Sequence, residues 1–171
     1  GIRKISILQG LNDLAVNSDI QYAGGVGRTN HDFVTIPAKY LSNGTATGLK
    51  GEYFDNIDFT GIPAVRNDKG INFRWTFLPP HSDVGKDWFS VRWTGQIEVP
   101  ESGTYKIGIA GDSGYKLWLD GQLLIDNWTK GGFTHEFAAF GFQKNKKYDI
   151  NLEYYEPQGR SKINLVWNVN L

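Results

Sequence analysis

The 171-residue chain carries 18 basic and 18 acidic side chains and no cysteine. Zero net charge gives no electrostatic reason to expect nucleic acid or an anionic membrane as partner. The lack of cysteine excludes a disulfide framework and thiol chemistry. Six Trp, eight Tyr, ten Phe and 21 Gly describe aromatic strands separated by glycine turns, the composition of one all-β domain. The absence of Met leads us to expect an excised fragment or a processed product. No stretch is apolar enough over its length to span a bilayer as a helix, and no signal peptide is visible.

Residues 1–47 differ in character from the rest. Ile7, Leu8, Leu11 and Leu14 predict a short helix over Ile5–Leu14, Asp19–Ala23 reads as a strand, and Gly24–Gly27 as a plain loop without phosphate-loop spacing. Asn43-Gly44-Thr45 closes the segment as a polar link. Lys50–Phe54 predicts the first sandwich strand, and Phe59–Pro63 a turn. Phe73–Phe77 alternates aromatic and polar residues as a half-buried strand, and the two-proline stretch Leu78–Lys86 is a loop. Phe89–Val99 predicts a long strand with Val91, Trp93, Ile97 and Val99 on one face.

Gly103–Trp128, GTYKIGIAGDSGYKLWLDGQLLIDNW, is the centre of the chain. It reads as a meander of three strands, turning at Gly111–Gly114 and again at Asp120-Gly121, a strong signal for a tight hairpin. His135–Phe142, Tyr148–Tyr154 and Ile163–Val169 supply three more strands, with the basic turn Lys144–Lys147 and the loop Glu156–Arg160 between them.

The order GLKGEYF (48–54), GIPAV (61–65), FSVRWTG (89–95), PESGTY (100–105) and YKLWLDG…LLIDNW (115–128) resembles the fourteen-kilodalton domain family named after anthrax protective antigen, the PA14 or PA-fourteen domain. The resemblance covers roughly residues 48–171 and implies an antiparallel two-sheet β-sandwich. Leu8-Gln9-Gly10-Leu11 and Ile20-Gln21-Tyr22-Ala23-Gly24, placed just ahead of it, resemble the α/β domain of family-three glycoside hydrolases, where such a segment leads into an inserted PA14 domain. On this reading residues 1–47 are flanking enzyme sequence and 48–171 the sandwich.

No motif for nucleophilic or metal-dependent hydrolysis occurs, and the nucleophile of family-three hydrolases belongs to a barrel domain this chain does not contain. The isolated chain is therefore read as non-catalytic. In the adhesin branch of the family, two consecutive Asp residues bind calcium, which grips sugar hydroxyls. The matching pair here is Asp112-Ser113. The second carboxylate is missing, so Asp112 is either a calcium ligand or a turn residue accepting backbone hydrogen bonds, and no cofactor is expected apart from that calcium. Pyranose rings stack on aromatics and bond to amides and carboxylates, which nominates Trp128 and Phe133 with Asp126 and Asn127 beside them. Trp128 has a competing reading as sandwich core. The loop carrying Glu156, Gln158 and Arg160 matches the other wall of the adhesin pocket and is expected near Asp112. Trp75, Trp93, Trp118 and Trp167 are assigned to the core.

The resemblance implies an accessory domain of a β-glycosidase that shapes substrate access or adds an outer sugar subsite. The parent's catalytic domains and an oligosaccharide would be its partners, and its location extracellular or periplasmic. A free-standing glycan-binding lectin or adhesin domain, and a structural spacer or protein-interaction domain, are the alternatives.

Overall fold

The structure, a computed structural model, describes residues 33–169. The helix expected over Ile5–Leu14, the strand Asp19–Ala23 and the loop Gly24–Gly27 lie outside them. The described residues contain no α-helix, only the single 3-10 turn Ala38–Tyr40, and so no helix long and apolar enough to cross a membrane.

Among the described residues thirteen strands form two antiparallel sheets. The smaller contains β1 (Val34–Thr35), β6 (Asn72–Trp75), β8 (Gly103–Gly111), β11 (Thr134–Phe142) and β13 (Ser161–Trp167). The larger contains β2 (Leu41–Asn43), β3 (Ala46–Thr47), β4 (Leu49–Phe54), β5 (Ala64–Asp68), β7 (Phe89–Ile97), β9 (Gly114–Leu119), β10 (Gln122–Asn127) and β12 (Tyr148–Glu156). Its order is β10-β9-β12-β7, and β7 then pairs with β4 along one half and β2 along the other. Among the described residues, pairing into the sheets thus begins at Val34, ahead of position 48. Asn43–Thr45, expected as a link, is the turn of the β2–β3 hairpin.

The expected meander is divided between the sheets. β8 pairs with β11 and β13, whereas β9 pairs with β10 and β12. Gly111–Gly114 therefore carries the chain from one layer to the other instead of closing a hairpin. Strand alternation alone does not say which sheet a strand joins. The Asp120-Gly121 turn is a true hairpin: Asp120 has φ 46° and Gly121 φ 76°, the left-handed pair that matches strand twist.

Period-two patterning places Tyr148, Ile150, Leu152 and Tyr154 inside β12 and their neighbours outside. Val91, Trp93 and Ile97 of β7 meet them from the next strand, and Ile163, Leu165 and Trp167 of β13 line the facing layer. Each such side chain contributes about 1.5–3 kcal/mol by leaving water. Trp75 and Trp93 stack with centroids 6.4 Å apart, and Trp75, Trp93 and Trp167 are core as expected. Trp118 is not. It alternates with buried Leu117 and Leu119 and lies on the outer face of the larger sheet.

β5 is legible in no propensity argument, since Ala64–Asp68 holds one β-branched residue. What fixes it is a buried ionic cluster. Asp68 accepts hydrogen bonds from Tyr53 Oη, Trp93 Nε1 (2.7 Å) and Arg66 Nε (2.6 Å). The Arg66 guanidinium lies 4.6 Å from the Tyr53 ring centroid. Gly51 makes room for the cluster: a Cβ there would stand 2.6 Å from Asp68 Oδ2.

Candidate functional site

The β8–β9 crossover and the loop after β12 meet at one end of the sandwich. Asp112 N–H donates to Lys162 O at 3.0 Å, and Lys162 N–H donates back to Asp112 Oδ1 at 2.6 Å. Ser113, at φ 61°, donates its N–H to Gly131 O and its hydroxyl to Glu156 Oε2 at 2.6 Å. The Tyr154 hydroxyl reaches both Glu156 Oε2 (3.2 Å) and Asp112 Oδ1 (3.3 Å). Gln158 N–H donates to Glu156 Oε1 at 2.8 Å. The 156–160 loop and Asp112 are thus brought together, by a carboxylate that is 0% exposed. Glu156 holds the loop from inside; Gln158 and Arg160 are on its solvent side.

Burial is the main cause that pushes the carboxyls of Asp112 and Glu156 above the ordinary range. Burial, then the neighbouring carboxylates, pushes the Tyr154 hydroxyl up as well.

These residues do not fit a calcium ion. Both oxygens of Glu156 and one of Asp112 are occupied by protein donors. A hard cation of this kind takes about six to eight oxygens. Among the described residues no group of three or more His, Cys, Asp or Glu is placed to hold a metal.

The nominated aromatics separate. Phe133 is 45% exposed at the end of a cavity of ≈ 260 Å³ that it shares with Arg74, Thr76, Asp112, Arg160 and Lys162. Lys162 Nζ stands 4.5 Å over its ring and His135 meets it edge-on. This is the outer face of the smaller sheet, to which Lys162 of β13 belongs. Trp128 lies on the other side of the molecule, half-buried against Phe59, Tyr155 and the ammonium of Lys116 on the outer face of the larger sheet. It is neither core nor a partner of Phe133. Asp126 pairs with Lys116 at 3.3 Å. Asn127 bonds to Thr129 and Thr134, bracing the loop between β10 and β11.

Trp88 was not foreseen as a site residue. It is 57% exposed with φ 61°, an uncommon conformation for a bulky side chain. Its N–H donates to Pro157 O at 3.1 Å, and the adjacent Asp87 accepts from Gly159 N–H, so it borders the 156–160 loop. Nothing in the local sequence signals a positive φ; an aromatic outside the alternation of a strand is the only available cue.

The described residues form a two-sheet antiparallel β-sandwich with polar and aromatic side chains gathered at its strand-end loops. The PA14 domain family matches residues 45–170, and the chain belongs to that family. It is 41% identical over 128 residues to the anti-sigma-I factor RsgI3 of Acetivibrio thermocellus, covering 75% of this chain but 20% of that protein. It is 40% identical to an anti-sigma factor domain-containing protein from Clostridium clariflavum, with TM-score 0.66 over 70% of this chain and 41% of the other. A β-glucosidase from Kluyveromyces marxianus in complex with glucose shares the fold at 20% identity and TM-score 0.61, over 79% of this chain and 18% of that one. The chain thus spans only about a fifth of the curated relative's length.

Proposed function

We propose that the chain is a non-catalytic, carbohydrate-contacting module of a larger polysaccharide-processing protein. The observation that carries this is the cavity at Phe133, where an exposed aromatic sits beside the hydrogen-bonding groups of Arg74, Asp112, Arg160 and Lys162. An aromatic face with a few polar groups around it suits a sugar ring. A glycosidase needs two carboxylates facing its substrate. Here Glu156 is buried and Asp112 is bonded to the backbone of β13, so neither is free for that work.

For the parent protein we favour a family-three β-glycosidase, on the motifs of residues 8–11 and 20–24. In such a parent the module would restrict or extend the substrate path, giving specificity by steric exclusion and a few stacking contacts. Phe77 (88% exposed) and Leu78 beside it offer the apolar contact that docking on catalytic domains requires. The resemblance to anti-sigma factors at 40–42% identity favours a second reading, a ligand-sensing module of a regulatory protein. Deleting residues 34–171 from the full-length parent decides between them. A glycosidase would keep its chemistry and change its preference for substrate length. A regulatory protein would have no hydrolytic activity to change, and an unchanged glycosidase preference would leave a spacer.

A further inference from the structure

Trp118 lies outside the hydrophobic core. It stands on the face of β9 turned away from the core, while Leu117 and Leu119 on either side are fully buried. Directly across from it is Asn151 of β12, and across from Asn151 is Thr94 of β7. Together with Asn43 of the β2–β3 turn, Gln96 and Asp149, these residues line a groove of ≈ 550 Å³ on the outer face of the larger sheet. That volume falls within the usual range for small-molecule sites, about 300–1,000 Å³.

The groove's chemistry is specific. It has one large aromatic, three amides, one hydroxyl and one carboxylate. Asn151 Oδ1 is buried and takes no hydrogen bond from the described residues, which is uncommon for a buried polar atom. Gln96 Nε2 donates to Asp149 Oδ1 at 3.1 Å, which fixes two of the polar groups in place. The lining contains no cation, and its one charge is the carboxylate of Asp149. An anionic ligand is therefore disfavoured. Three adjacent strands cover roughly 10 Å, more than one pyranose ring needs.

We propose that this groove binds a segment of a neutral oligosaccharide, with Trp118 stacking on a sugar face and Asn151, Thr94 and Gln96 bonding to its hydroxyls. The site is separate from the cavity at Phe133, whose arginines and lysine suit a more acidic sugar. It extends the carbohydrate reading proposed above and shares its premise, but uses different residues.

Calorimetric titration of the full chain with neutral β-linked gluco-, xylo- and manno-hexasaccharides, and with an oligogalacturonate, tests it. The expected result is saturable binding of at least one neutral hexasaccharide. Trp118→Ala and Asn151→Ala should each weaken it about tenfold or more, while Phe133→Ala with Arg160→Ala reports on the cavity through the oligogalacturonate. Trp118→Phe should restore most of it. Because Trp118 faces away from the core, circular dichroism and thermal melting of Trp118→Ala should match the parent chain. Binding lost only in the Phe133/Arg160 variant would overturn the groove and support the cavity. Neutral-sugar binding lost only in the groove variants would support the groove, and the oligogalacturonate then reports on the cavity separately. No neutral sugar bound, or binding indifferent to Trp118 and Asn151, also overturns the inference, whatever the oligogalacturonate does at the cavity.

Discussion

Trp93 Nε1 donates a hydrogen bond of 2.7 Å to Asp68 Oδ2 inside the sandwich. The bond ties the nine-residue β7 to the edge strand β5, and it places a carboxylate where only 5% of the residue remains exposed. Tyr53 and Arg66 complete the shell.

Asp68→Ala should be among the most damaging single changes in the chain. It leaves two buried ring donors without their acceptor and unpairs the Arg66 guanidinium, whose side chain is 37% exposed and so partly solvated, which should cost about 2–4 kcal/mol. Tyr53→Phe removes one donor and should cost about 1–2 kcal/mol. Urea unfolding of the two variants checks the order; equal costs would mean that the cluster is not held by the carboxylate.

Gly114 is constrained by a single ring. A Cβ there would come 1.8 Å from Tyr155 Cε1, so Gly114→Ala should destabilise by about 1–3 kcal/mol through overpacking. Adding Tyr155→Ala removes the obstruction. A double-mutant cycle should then show a favourable coupling of about 1 kcal/mol or more, and strict additivity would refute the contact.

Asp112 and Glu156 set a pH dependence opposite to that of an ordinary ion pair. Their folded pKa values are raised above the ordinary 3.8 and 4.5 by burial. The fold therefore binds their protons more tightly than the unfolded chain does. The stability they contribute is fully present below those ordinary values and is lost as pH rises through the raised ones. Glu156→Gln should flatten the decline in denaturant midpoint as pH rises above about 4.5. A decline of unchanged slope would place its origin elsewhere.

Much of the fold is legible in the sequence because burial follows the alternation of single strands, as in Tyr148–Tyr154 and Val91–Ile97. Asp120-Gly121 declares its turn through the two residue types that accept positive φ. What alternation does not encode is which sheet receives a strand, and so the crossover at Gly111–Gly114 reads as a hairpin. It also does not encode what the outward residues meet. Trp93 is flanked by Arg92 and Thr94 and shares the inward phase of Val91 and Ile97, whereas Trp118 falls between inward Leu117 and Leu119, so a large aromatic assigned to the core by its type alone stands on the outer face. Asp112 and the 156–160 loop come together because β8, β12 and β13 end at the same edge, and the family resemblance supplied that expectation. The separation of Trp128 from Phe133 depends on which layer each loop joins, information carried only by long-range pairing.

The most direct test of sugar contact is a titration of the chain with the neutral hexasaccharide that binds in calorimetry, followed through the six tryptophan indole N–H resonances. The account predicts that the Trp118 resonance moves saturably while those of the buried Trp75, Trp93 and Trp167 hold still. A Trp118 resonance that stays in place at saturating sugar would contradict it.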